Sequence, residues 1–136
     1  MKKILKSTLL LVLSLGLFTA CDDDHDENPT VVPPTSFVLN TPALADQLID
    51  LANSTSLVLT CSQPDYGFTA ATSYTVQVGT KADMSDAVDV LTSTQAKLDI
   101  DAALVASTLT SLELADGKTE ADFPMVIPAY FRVKAV

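Results

Sequence analysis

Short runs in which apolar and polar residues strictly alternate constrain this chain most, because a period of two fits a strand with one buried face and no helix. The clearest is Ser73–Gly79, where Tyr74, Val76 and Val78 point one way and Thr75 and Gln77 the other. Leu57–Cys61 repeats the pattern with Leu57, Leu59 and Cys61 on one face, and Lys97–Asp101 alternates again. Ala129–Ala135 sets Phe131, Val133 and Ala135 against Arg132 and Lys134. Ser36–Asn40 and Ala87–Thr92 complete six predicted strands, separated by turn signals such as Thr41-Pro42, Asn53-Ser54, Pro64–Gly67 and Thr80–Asp86.

Six short strands of this kind predict a mostly β fold, an antiparallel immunoglobulin/fibronectin III-like sandwich. One segment departs from the pattern. Asp101–Leu109 is rich in helix formers, with Asp99 or Asp101 available as an N-cap, and Asp116-Gly117 ends it. Leu104, Val105, Thr108 and Leu112 share a helical face, so one short helix is expected to lie across an open end of the sandwich. An immunoglobulin-type sandwich has seven strands. With six counted, the last strand (G) is expected to be missing, leaving an incomplete domain over residues 36–136 and an unpaired edge, which is an aggregation hazard.

The N-terminus has another character. Lys2, Lys3 and Lys6 precede the apolar run Leu9–Phe18, and Thr19-Ala20 supplies small residues ahead of Cys21. That order is a secretory signal, and the run is shorter than the ~20 residues that span a bilayer. Small residues directly before a cysteine resemble the bacterial lipobox, with Phe18 at the third position before Cys21. Residues 1–20 are therefore expected to be removed and Cys21 lipidated. The cluster Asp22, Asp23, Asp24, Asp26 and Glu27 resembles the surface-export signal of Bacteroidetes lipoproteins; a merely solvated charge run is the plainer reading. Three prolines follow in Asn28–Thr35, so residues 21–35 are expected to be a flexible, extended tether reaching roughly 45 Å at about 3.1 Å per residue.

Charge and motif content exclude several functions. All 17 acidic residues follow Cys21, and the processed chain keeps five of the eight basic ones, a formal net charge of −12 against −9 for the precursor. Such a surface repels polyanions, so nucleic-acid binding is not expected. There is no Gly-rich phosphate loop, no HExxH and no G-x-S-x-G, and the single histidine, His25, lies in the tether. An enzyme, a metal site and a cofactor are not expected. Asp83, Asp86 and Asp89 surround a turn, where solvation explains them better than glycosidase chemistry. Cys61 reads as a small buried hydrophobe, without a disulfide partner once Cys21 is modified. Tyr66 and Phe68 are the one close aromatic pair that glycan stacking would use, against the alternative that they cap the sandwich.

The stretches Phe37–Pro42, Leu57–Gly67, Tyr74–Val78 and Tyr130–Ala135 together resemble the N-terminal domain of SusE-like outer-membrane lipoproteins. A more distant likeness to fibronectin type III domains places Cys61 where a core Trp often stands, and Ala129 where an aromatic would begin the closing strand. The resemblance implies a non-catalytic cell-surface lipoprotein of a starch or glycan-utilisation system, anchored in the outer membrane and facing the cell exterior. It implies work beside SusC/SusD-type importer components, with this domain as membrane-proximal spacer and glycan-binding modules further C-terminal. Two other readings stand beside it: oligosaccharide binding by this domain itself, and a structural adhesin-like surface module.

Overall fold

Among the described residues, five strands and one α-helix form over the stretches where alternation and helix-former content direct them. The computed structural model of the chain describes residues 32–34 and 36–136, which fall in one unit spanning residues 31–136. In chain order the strands are β1 (Ser56–Thr60), β2 (Tyr74–Gly79), β3 (Val88–Ser93), β4 (Lys97–Asp101) and β5 (Tyr130–Ala135). The helix α1 (Ala102–Ala115) lies between β4 and β5, followed by a 3-10 turn at Glu120–Asp122.

The strands make two antiparallel sheets, one of β1-β4 and one ordered β3-β2-β5, and together they form a small β-sandwich with no closed barrel. In the first sheet Leu59 opposes Leu98 and Leu57 opposes Ile100. In the second, Val76 opposes Val133 on one side and Leu91 on the other. A one-residue bulge in β3 then shifts the register, so Gln77 pairs with Asp89 and Val90 is the extra residue. The two inner faces meet in one core containing Leu59, Cys61, Leu98 and Ile100 from one sheet and Tyr74, Val76, Val78, Val90 and Val133 from the other. The inward residues expected from alternation in β1, β2, β4 and β5 are all buried or half-buried, and in β2 the outward Thr75 and Gln77 are covered as well.

Two local expectations are corrected. The first, a strand over Ser36–Asn40, reduces to a single bridge between Leu39 and Cys61. Hydrogen bonds from Asn40 N to Thr60 O and from Ser62 N to Val38 O support it, and then Pro42, which has no N–H, begins an exposed turn. Phe37 nevertheless stacks on Tyr74, with ring centroids 6.3 Å apart.

The second concerns α1, which ends at Asp116-Gly117 as expected but buries a different face. Ala102, Val105, Leu109 and Glu113 are buried, whereas Leu104 is exposed. Asp101 is the N-cap, its side chain accepting from the N–H groups of Ala103 and Leu104. Because Ile100 must face the core in β4, the cap at the next residue fixes the rotation of α1, and Ala102 and Val105 turn inward. At the other end Gly117 takes a left-handed φ of 102°. Lys118 N donates to Glu113 O and Gly117 N to Leu114 O, which closes the helix as a Schellman motif. Helix α1 touches strands of both sheets. Among the described residues no helix is long and apolar enough to cross a membrane.

Candidate functional site

Lipidation and export residues come first in the chain, and Cys21, Asp22, Asp23, Asp24, Asp26 and Glu27 all lie outside the described residues. The remaining candidates, Tyr66 and Phe68, sit on the loop between β1 and β2. Asp65 accepts the N–H of Gly67, whose φ of 82° makes the tight turn between the two aromatics. Tyr66 is half-buried and Phe68 is 36% exposed. Val32 N donates to the carbonyl of Tyr66 at 3.1 Å, so the proline segment is fastened to this loop at Val32.

The carboxylates of the turns are occupied locally. Asp86 accepts from Thr80 Oγ1 at 2.7 Å, from Thr80 N at 3.0 Å and from Lys81 N at 3.3 Å, closing the β2–β3 turn. This approach needs Gly79, where a Cβ would come within 2.6 Å of Asp86 Oδ1. Asp83 accepts from Ser85 N, Asp50 from the side chain and N–H of Asn53, and Asp122 from Thr119 N and Oγ1. Among the described residues no three His, Cys, Asp or Glu side chains come together as a metal site.

These hydrogen bonds hold the carboxyls below their ordinary range, led by the Thr80 hydroxyl for Asp86 and by backbone donors for Asp83 and Asp122. A carboxyl whose folded value is depressed contributes fully above its unfolded value, about pH 4, and loses that contribution as pH falls through the folded value. Melting temperature measured against pH is therefore expected to show the parent losing stability relative to Asp86→Asn below about pH 4. A pH-independent difference between the two would contradict the turn assignment.

Cys61 is 8% exposed, its thiol donates to Ala96 O at 3.5 Å, and burial pushes its pKa up. The thiolate needed for attack is thus scarce. Reaction of Cys61 with an aromatic disulfide reagent is expected to run on the order of a hundredfold slower in the native protein than in denaturant.

Two features were not foreseeable from alternation. On the outer face of the three-stranded sheet, Gln77 Nε2 donates to Asp89 Oδ1 at 2.5 Å, while Arg132 Nε and Nη2 donate to Gln77 Oε1 at 2.9 and 2.7 Å. The other is an open groove of about 1430 Å³ where the 41–52 and 123–129 segments meet β1, α1 and the start of β5. Its lining is largely apolar, including Leu48, Leu57, Leu109, Val126 and Phe131. Its walls come from segments far apart in the chain, so no local pattern marks it.

Two facing antiparallel sheets with a single packed helix, and turns held by their own carboxylates, define a small β-sandwich module. The chain belongs to the SusE family: the family model described as SusE outer membrane protein matches residues 23–134. Membership places the protein at the outer membrane, in a starch-utilisation system. No solved structure matches the chain.

Proposed function

We propose that this domain is a non-catalytic, membrane-proximal spacer and contact module of a surface glycan-capture lipoprotein. A lipid on Cys21 holds it to the outer membrane, the acidic run Asp22–Glu27 directs it to the outer face, and the proline segment lifts it clear of the headgroups. It works beside SusC/SusD-type importer components, and the glycan is captured by modules other than this one.

The observation that carries the reading is how the polar groups are used. Asp50, Asp83, Asp86 and Asp122 close their own turns, and Asp89, Gln77 and Arg132 satisfy one another. A sugar site needs such groups free to converge beside an exposed ring. Phe68, 36% exposed beside the half-buried Tyr66, is the observation that supports the alternative that the domain binds oligosaccharide itself.

One measurement separates these readings and a second tests the anchor they share. In affinity electrophoresis through starch the chain is expected to migrate unretarded; retardation that Tyr66→Ala or Phe68→Ala abolishes would overturn the spacer role. In cell fractionation, Cys21→Ser is expected to move the protein from the membrane to the soluble fraction, and unchanged membrane retention would overturn the lipid anchor.

A further inference from the structure

Residues 38–40 lie antiparallel beside residues 60–62 and are fastened to them by main-chain and side-chain bonds. Asn40 N donates to Thr60 O at 2.9 Å, and Ser62 N to Val38 O at 2.9 Å. Val38 N donates to Ser62 Oγ at 2.8 Å, and Asn40 Nδ2 to Thr60 Oγ1 at 3.0 Å. Upstream, Val32 N makes the bond to Tyr66 O, although the Val32 side chain is exposed. A main-chain bond rather than burial therefore holds Val32. Its acceptor is well placed: Asp65 takes the N–H of Gly67 at 2.8 Å, and the left-handed φ of Gly67 completes the turn.

The turn belongs to one pole of the sandwich. Strands β1 and β3 end at this pole and β2 and β4 begin there, so the 61–73 and 94–96 connections both start and finish on it. The opposite pole carries the β2–β3 turn and the junction of β4 with α1. Asp116, the C-cap of α1, pairs with Lys81 of that turn at 3.5 Å, so both ends of the helix lie at this far pole. Strand β2 runs between the poles and sets them about 20 Å apart.

We infer that the Tyr66 turn is a docking site for the chain's own Val32, and that this bond sets which pole lies nearer the membrane. The orientation rests on the lipid anchor at Cys21 proposed above; the docking of Val32 does not. Val32 follows Cys21 by eleven residues, so the Tyr66 pole is held within about 40 Å of the anchor at full extension. Attachment from Val38 alone would put seventeen residues between them and lengthen that reach to about 60 Å. The difference matches the distance between the poles. A domain docked at Val32 keeps its Tyr66 pole toward the membrane and presents α1 and the β2–β3 turn away from it. The Tyr66–Phe68 loop, chosen by residue type as a glycan platform, thereby gains a role in positioning the domain.

The test begins with the full chain purified from membranes in detergent. Hydrogen exchange of the Val32 amide is expected to run on the order of tenfold slower than in an unstructured peptide of the same sequence. Exchange at the peptide rate overturns the docking whether or not Cys21 carries lipid. Orientation is read after return to phosphatidylcholine vesicles that bear an acceptor dye at their surface. A donor dye is placed on Thr94→Cys at the Tyr66 pole or on Ala82→Cys in the β2–β3 turn, both exposed positions, while Cys61 is buried. Energy transfer from position 94 is expected to be at least about twice that from position 82. Val32→Pro deletes the donor N–H and is expected to reduce that ratio by at least about a third. Equal, strong transfer from both positions, or a ratio that Val32→Pro leaves unchanged, overturns the orientation. Transfer from neither position marks a failed anchor instead, and the Val32 amide then decides the docking alone.

Discussion

Leu98→Ala is expected to lower the melting temperature by at least about 10 °C, through a loss of roughly 2–5 kcal/mol. Leu98 is fully buried in β4 and opposes Leu59 across the β1-β4 pair. That sheet contributes only two strands to the sandwich, so each inward leucine carries a large share of its contact with the other sheet. Truncation removes both the transfer free energy of the lost methyl groups and the dispersion contacts around the cavity, and neighbours held in paired strands collapse into it poorly. The adjacent residue gives the control. Asp99 lies on the same strand facing solvent, and Asp99→Ala is expected to change stability by no more than about 0.5 kcal/mol. Urea midpoints of the two variants, measured with unchanged slopes, check the pair together; a comparable loss in both would contradict the assignment of β4's inner face.

The same alternation explains which parts of the fold were legible in the chain and which were not. Tyr74, Val76 and Val78 announce an inward face because a strand has only two faces and the polar residues occupy the other. Gln77 shows the limit of that logic. It points outward as expected, yet it is buried, because Asp89 and Arg132 arrive on either side of it from strands 12 and 55 residues away. Helix α1 shows another limit. Its Ala102–Ala115 sequence carries apolar residues on nearly every face, so Leu104, Val105, Thr108 and Leu112 were as plausible a buried stripe as Ala102, Val105, Leu109 and Glu113, and the two share only Val105. The tie is broken by connection to β4 and by packing, neither of which is local. The strand expected at Ser36–Asn40 was overstated because an edge segment needs a partner along its length, and the chain turns away at Pro42 after one bridge. For function, Tyr66 and Phe68 were selected by residue type alone. Their loop turns as Gly67 indicated, but sequence could not foretell that Val32 would be fastened to it.

Replacing Gln77 by leucine is expected to cost about 1–3 kcal/mol despite keeping the volume and adding apolar surface. An amide is the side chain that can donate to Asp89 and accept from Arg132 at once, because it carries a carbonyl and an NH₂ on one plane. It thus holds opposite charges on β3 and β5 across the middle strand and ties β5 to the sheet from its outer face. Leucine severs both links. Asp89 and Arg132 are exposed enough to recover water, which keeps the cost below that of stranding a buried ion pair. Gln77→Glu separates the two halves of the role. It retains the acceptor for Arg132 but sets a carboxylate against Asp89, so its deficit is expected to be intermediate at neutral pH. Protonation restores a donor, and the deficit is expected to narrow as pH falls toward about 4. Urea unfolding of the parent and both variants at pH 7 and near pH 4 supplies the comparison. A leucine variant as stable as the parent would mean that the Asp89–Gln77–Arg132 ladder only decorates the sheet. In that case the stability of β5 would rest on Val133 and its neighbours in the core.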